Sequence, residues 1–185
     1  AMRKPLFQNL LRSPLTVAAP APSERALAEL GAKVDRVARQ RLGRSLSIRE
    51  VDAGSCNGCE LEIHALNNPF YDLERFGFHV VASPRHADVL LVTGPVTANM
   101  REALERTYAA TPDPKWVVAV GDCGRDGGVF AGGYACVGGV AEVIPVDLHI
   151  PGCPPSPVQL LEGLLELVEP PRELRRLHYL REWSH

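Results

Sequence analysis

The stretch Ser45-Leu46-Ser47-Ile48-Arg49-Glu50-Val51-Asp52-Ala53-Gly54-Ser55-Cys56-Asn57-Gly58-Cys59-Glu60-Leu61-Glu62-Ile63-His64-Ala65-Leu66 reads as a strand, a tight loop and a helix in succession. Ser45 to Ala53 is strand-like, and Glu60 to Leu66 is helix-like. Between them stand Cys56 and Cys59, two residues apart, a spacing that lets two thiolates reach one metal centre. Gly58 between them is expected to supply an unusual backbone bend.

Working outward, strand-like and helix-like runs alternate. Further strands are expected at Phe78 to Ala82, Asp88 to Thr93, Trp116 to Val120 and Val143 to Ile150. Helices are expected at Tyr71 to Phe76 before Gly77, Ala98 to Ala110 and Pro157 to Val168. This alternation predicts an α/β fold with a parallel sheet. Ligands of open parallel sheets sit beyond the carboxyl ends of the strands. Cys56 and Cys59 follow the first predicted strand, Cys123 the fourth and Cys153 the fifth, each in a Gly- or Pro-rich segment.

Four thiolates from three loops make a complete all-cysteine shell, and the reading is one 4Fe-4S cluster on Cys56, Cys59, Cys123 and Cys153. Structural zinc is the competing reading, as the core of an interaction module. Zinc sites usually bring two close cysteine pairs, whereas this chain has one pair and two distant single cysteines. Cys136 is left over and is expected to be a buried free thiol.

Composition narrows the classes. The 185 residues are 45% apolar, enough for one compact domain that buries about 70% of its unfolded surface. Twenty Lys and Arg stand against 22 Asp and Glu, so no basic field invites nucleic acid. The glycines from Gly121 to Gly128 are followed by no Lys-Ser or Lys-Thr, which argues against a nucleotide site.

Residues 1–44 divide into a Pro-interrupted arm and a basic amphipathic helix from Ser23 to about Leu42. Residues 45–170 form the cluster-binding domain, and 171–185 a tail. Pro5, Pro14, Pro20 and Pro22 break each early apolar run below signal-peptide length, and no run reaches the ~20 residues that cross a bilayer. A cytoplasmic site of action is therefore expected, with membrane contact made through partners or the amphipathic surface.

The motifs Asp52 to Glu62, Ser83-Pro84-Arg85-His86-Ala87-Asp88, Ile144-Pro145-Val146-Asp147 and Pro151-Gly152-Cys153-Pro154-Pro155 resemble a known family. It is the iron-sulfur small subunit of membrane-bound, complex I-like nickel-iron hydrogenases of the formate hydrogenlyase type, homologous to the 20 kDa subunit of respiratory complex I. The likeness runs from about Ser45 to Val168. It implies a flavodoxin-like domain with helices on both faces, carrying the proximal 4Fe-4S cluster. The implied partners are a nickel-iron large subunit, a ferredoxin-like iron-sulfur subunit and membrane-arm subunits, with the whole on the cytoplasmic face of the cell membrane.

Two departures select the branch. Complex I subunits have adjacent cysteines in the first motif, and typically Arg after the Pro-Gly-Cys-Pro-Pro run, where this chain has Ser156. Neither a twin-arginine motif nor the extra cluster-binding domain of periplasmic hydrogenase small subunits is read in these 185 residues, so the cytoplasm-facing, complex I-like branch is expected. A complex I-type quinone oxidoreductase is the alternative. In the resemblance Glu62 matches an acid thought to carry protons; Glu60 beside it reads as a helix-dipole acid or a second relay group. Arg85 and His86 are expected near the cluster. His64, His79, His149 and His178 show no metal spacing and receive no role.

Overall fold

The computed structural model describes residues 45–168 together with Glu29, Ala32, Lys33 and Arg36. Those four are helical and exposed, and they fall within the predicted amphipathic helix. The remainder of the arm, of that helix and the C-terminal tail lie outside the described residues.

Five strands make one parallel sheet: β1 (Leu46–Asp52), β2 (Phe78–Val80), β3 (Val89–Thr93), β5 (Trp116–Val120) and β7 (Leu148–Ile150). Their order is β2-β1-β3-β5-β7. Counting only these strands, that is 2-1-3-4-5, the flavodoxin-like order whose chain reversal falls between β1 and β3. The expected fold class is therefore present.

Side-chain alternation assigns the two faces. Leu46 and Ile48 of β1, Val89 and Leu91 of β3, and Val118 and Val120 of β5 point to one side. There they meet Ile63 of α1 (Gly58–Ala65) with Leu160, Leu161, Leu164 and Leu165 of α4 (Pro157–Val168). Val51, Leu90, Val92, Val117 and Ala119 point to the other side, against Leu104 of α2 (Ala98–Ala110), Val140 and Ile144. α4 starts at a reciprocal cap: Ser156 N–H donates to Gln159 Oε1 (2.8 Å), and Gln159 N–H donates to Ser156 Oγ (3.4 Å).

Two motif aspartates fasten strand beginnings. Asp88 Oδ2 accepts from Ser47 N–H at 2.9 Å, and Asp147 Oδ2 accepts from Val117 N–H at 2.7 Å. Each carboxylate satisfies an amide at the amino end of a strand, where the ladder has run out. These residues serve the sheet rather than the cysteine edge.

Several expectations are corrected. The last strand is confined to Leu148–Ile150: Val143 caps the 3-10 turn Val140–Glu142, and residues 144–147 run as bend and coil through Pro145, which has no N–H to give a ladder. The predicted helix at Tyr71 to Phe76 is a 3-10 segment, Leu73–Phe76, closed by left-handed Gly77. A two-stranded antiparallel ribbon, β4 (Val96–Thr97) with β6 (Cys136–Gly138), was not anticipated. Its strands are too short to show a period. The Gly-rich segment around Cys123 holds a short helix, α3 (Gly121–Asp126).

Candidate metal centre at the carboxyl edge of the sheet

The chain leaves β1 through an Asx turn. Asp52 Oδ1 accepts both Gly54 N–H and Ser55 N–H at 2.7 Å, and Ser55 Oγ accepts Asn57 N–H at 3.0 Å. The bend between Cys56 and Cys59 falls on Asn57, at φ 70°, and not on Gly58. Asn tolerates the left-handed region because its short polar side chain bonds locally. A Cβ on Gly58 would stand 3.5 Å from Cys56 Sγ, an ordinary van der Waals contact, so crowding does not require glycine there. Cys59 then lies in the first turn of α1, near the partial positive charge of the helix start.

Cys123 sits in the middle of α3, after β5, and is buried at 9% exposure. Cys153 follows β7 and is exposed, as is Cys56, while Cys59 is half-buried. All three other thiols act on Cys59. Burial and Glu60, followed by Cys123, Cys56 and Cys153, push its thiol up to about 12. Burial also raises Cys123, against a lowering hydrogen bond from the Val129 backbone, with Cys153, Cys56 and Asp122 adding to the rise. The fold thus gathers the four predicted cysteines at one edge. Among the described residues, no three His, Cys, Asp or Glu side chains are grouped to hold a single metal ion.

Backbone approaches the thiols closely at two glycines. A Cβ on Gly121 would lie 2.8 Å from Cys59 Sγ, and one on Gly128 would lie 2.8 Å from Cys123 Sγ. Both have positive φ, 78° and 50°, so substitution would add strain to crowding.

The acids separate by depth. Glu60 is buried at 8% exposure, and neither of its carboxylate oxygens has a hydrogen-bond partner among the described residues. Glu62 is only half-buried. Glu50, on the α1 side of β1, has its carboxyl raised by burial and by Glu60 and Asp52, while His64 and Arg49 oppose the rise. Sequence reading gave Glu50 no role, because its register position under α1 emerges only when the sheet forms.

Arg85 and His86 are brought elsewhere. They are exposed in the 3-10 turn Pro84–His86, ahead of β3, whose first residue, Val89, pairs with Ile48. The cysteine loop begins beyond Asp52, four residues further along β1, which is about 13 Å at strand rise. These two residues therefore occupy the opposite edge. Cys136 is half-buried rather than buried. It lies on the surface ribbon and lines an apolar cavity of about 370 Å³ with Phe130, Tyr134 and Thr97.

An open, flavodoxin-ordered sheet that gathers thiols from three strand-end loops defines an α/β protein with a cysteine-lined carboxyl edge. Comparison with known proteins narrows this class. Residues 56–167 match the family model described as NADH ubiquinone oxidoreductase, 20 Kd subunit, and the chain belongs to that family.

Among relatives, the chain is 49% identical over 124 residues to formate hydrogenlyase subunit 7 of Escherichia coli, covering 67% of this chain and 49% of that one. It is 48% identical over 128 residues to the protein named probable membrane-bound hydrogenase subunit mbhJ of Pyrococcus furiosus, covering 69% and 77%. The chain thus spans about half the length of the Escherichia coli relative. Among solved structures it resembles a chain of the membrane-bound sulfane sulfur reductase, an archaeal respiratory membrane complex. That likeness has a TM-score of 0.61 and 35% identity, over 74% of this chain and 73% of that one. Among the described residues, no helix is long and apolar enough to cross a membrane.

Proposed function

We propose that this chain is the electron-transfer subunit of a membrane-associated, hydrogenase-type oxidoreductase, with Cys56, Cys59, Cys123 and Cys153 holding one 4Fe-4S cluster. The observation that carries this reading is the convergence of four thiols from three loops on the carboxyl edge, with each of the others raising the Cys59 thiol. The donor set fits the group: soft thiolates suit iron-sulfur chemistry. The sequence spacing, one close pair and two solitary cysteines, weighs against zinc, whose sites usually bring two close pairs. A cluster bound there would exchange one electron at a time.

The chain's own residues prepare the site. Gly121 and Gly128 keep side-chain bulk away from Cys59 and Cys123. The Val129 amide donates toward Cys123 and favours its ionised form. The start of α1 adds partial positive charge beside Cys59. Glu62, half-buried, and Glu60, buried, are the acids proposed to relay protons beside the redox site.

The proposed partners are a nickel-iron large subunit, a ferredoxin-like subunit and membrane-arm subunits, on the cytoplasmic face of the membrane. The relatives named above include hydrogenase subunits, and the solved neighbour belongs to a sulfane sulfur reductase. A subunit of this family therefore serves more than one reaction, and the large subunit would set which one. The two-residue spacer between Cys56 and Cys59 favours the hydrogenase side.

The test is anaerobic purification of the complex, with iron, sulfide, nickel and zinc analysis and EPR of the reduced state. Serine at any of the four cysteines is expected to abolish or alter the reduced signal, and Cys136→Ser to leave it intact. Zinc without iron or sulfide would overturn the cluster. A cluster with no nickel in the complex would remove the hydrogenase reading and leave the other reactions of the family, the quinone-type among them.

A further inference from the structure

The loops carrying the two solitary cysteines are tied together just past the end of the sheet. β5 and β7 pair only as far as Val120 and Ile150. Beyond that register, Asp122 N–H donates to Gly152 O at 2.9 Å, and Gly152 N–H donates back to Asp122 Oδ1 at 3.2 Å. Beside this pair, His149 Nε2 donates to Gly121 O at 3.0 Å. A carbonyl can only accept, so the imidazole carries a proton on Nε2. Three hydrogen bonds thus span two segments about 30 residues apart, where the strand ladder has ceased.

The residues so tied immediately precede the cysteines: Asp122 before Cys123, and Gly152 before Cys153. Gly121, held by His149, is also the residue where an added Cβ would stand 2.8 Å from Cys59 Sγ. The Asp122 side chain is 38% exposed and meets Arg125 Nη1 only at 3.9 Å, so its contribution is not core burial. Its neighbour Asp126 does comparable work one turn on, where Oδ1 accepts Gly128 N–H at 2.9 Å. Asp126, however, holds only its own loop, whereas Asp122 reaches across to another.

We propose that Asp122, braced by His149, is a positioning residue that fixes the separation of Cys123 and Cys153 and so holds the two halves of the cluster's thiolate shell in register. The inference rests on the cluster reading above. It assigns the work to the Oδ1 acceptor and not to the carboxylate's charge. Beyond Val120 and Ile150 the β5–β7 ladder no longer holds the two loops in register, and a shell built from separate loops loses metal when one of them swings away.

The experiment compares wild type, D122N, D122A and H149F in the purified complex. It reads iron and sulfide content, the g-values and linewidth of the reduced EPR signal, and the rate of iron release to a chelator. D122N keeps the acceptor oxygen and is expected to match wild type in line shape and release. D122A is expected to broaden or shift the signal and to release iron at least about tenfold faster, with H149F changing in the same direction to a lesser degree. D122A indistinguishable from wild type would overturn the clasp. So would D122N as defective as D122A, since charge would then be the operative feature. Should D122A fail to assemble, a wild-type D122N still supports the acceptor role, and a D122N that loses or alters the signal still sinks it. Absence of iron and sulfide from the wild-type complex would instead overturn the underlying cluster reading.

Discussion

Gly121 and Cys59 are pressed together across two loops, so that a methyl group on Gly121 would stand 2.8 Å from Cys59 Sγ. The backbone there has φ 78°, which costs a non-glycine residue roughly 1–2 kcal/mol. Gly121→Ala must both strain the turn and displace the thiol. The expected result is a chain that still folds but holds much less iron and sulfide than wild type. Metal analysis beside thermal unfolding separates the two effects, and wild-type loading would show that Cys59 has room to move.

Cys59 stays a thiol at ordinary pH in the iron-free chain, because its pKa is pushed up to about 12 by burial, Glu60 and the other cysteines. At pH 8 a thiol of that pKa is protonated by roughly 10,000 to 1. Cys56 and Cys153, both exposed, should be alkylated first, and Cys59 and Cys123 last. Mass spectrometry after timed iodoacetamide treatment gives the order. Metal loading must displace these protons, so it should become faster as pH rises.

Glu60→Gln removes a negative charge from a buried carboxylate one residue from Cys59. A nearby anion disfavours the more negative, reduced state of a cluster, so its removal should raise the reduction potential by a few tens of mV. Glu62→Gln, at a half-buried position, should shift it less. Potentiometric EPR titration of the complex measures both. Turnover against pH reports proton relay separately: an unchanged profile in both variants would remove that role.

Glu50 should make stability fall as pH rises. Burial, Glu60 and Asp52 raise its folded-state pKa above the ordinary 4.5. The folded chain therefore holds this proton more tightly than the unfolded chain does. Below the unfolded value the group exacts no penalty; above the raised folded value the penalty is complete. Glu50→Gln is expected to stabilise the chain at pH 8 and to lose that advantage near pH 4. Urea unfolding at the two pH values checks the sign.

The sequence by itself determined the strands of the sheet, most helix positions and the placement of Cys56, Cys59, Cys123 and Cys153 after strand ends. Those features are local. Apolar runs, Gly and Pro punctuation and a two-residue spacer need no distant partner to be read.

Tertiary structure alone decided what depends on register. It put Arg85 and His86 at the opposite edge, because Val89 pairs with Ile48 and not with the end of β1. It sank Glu60 more deeply than Glu62 and slid Glu50 beneath α1. It closed the Asp122–Gly152 clasp and gave His149, which carried no signal in the sequence, a carbonyl 28 residues away. The physical reason is common to all of these. A hydrogen bond or a burial between segments tens of residues apart leaves no periodicity in either segment, and it exists only once the strands have paired in register.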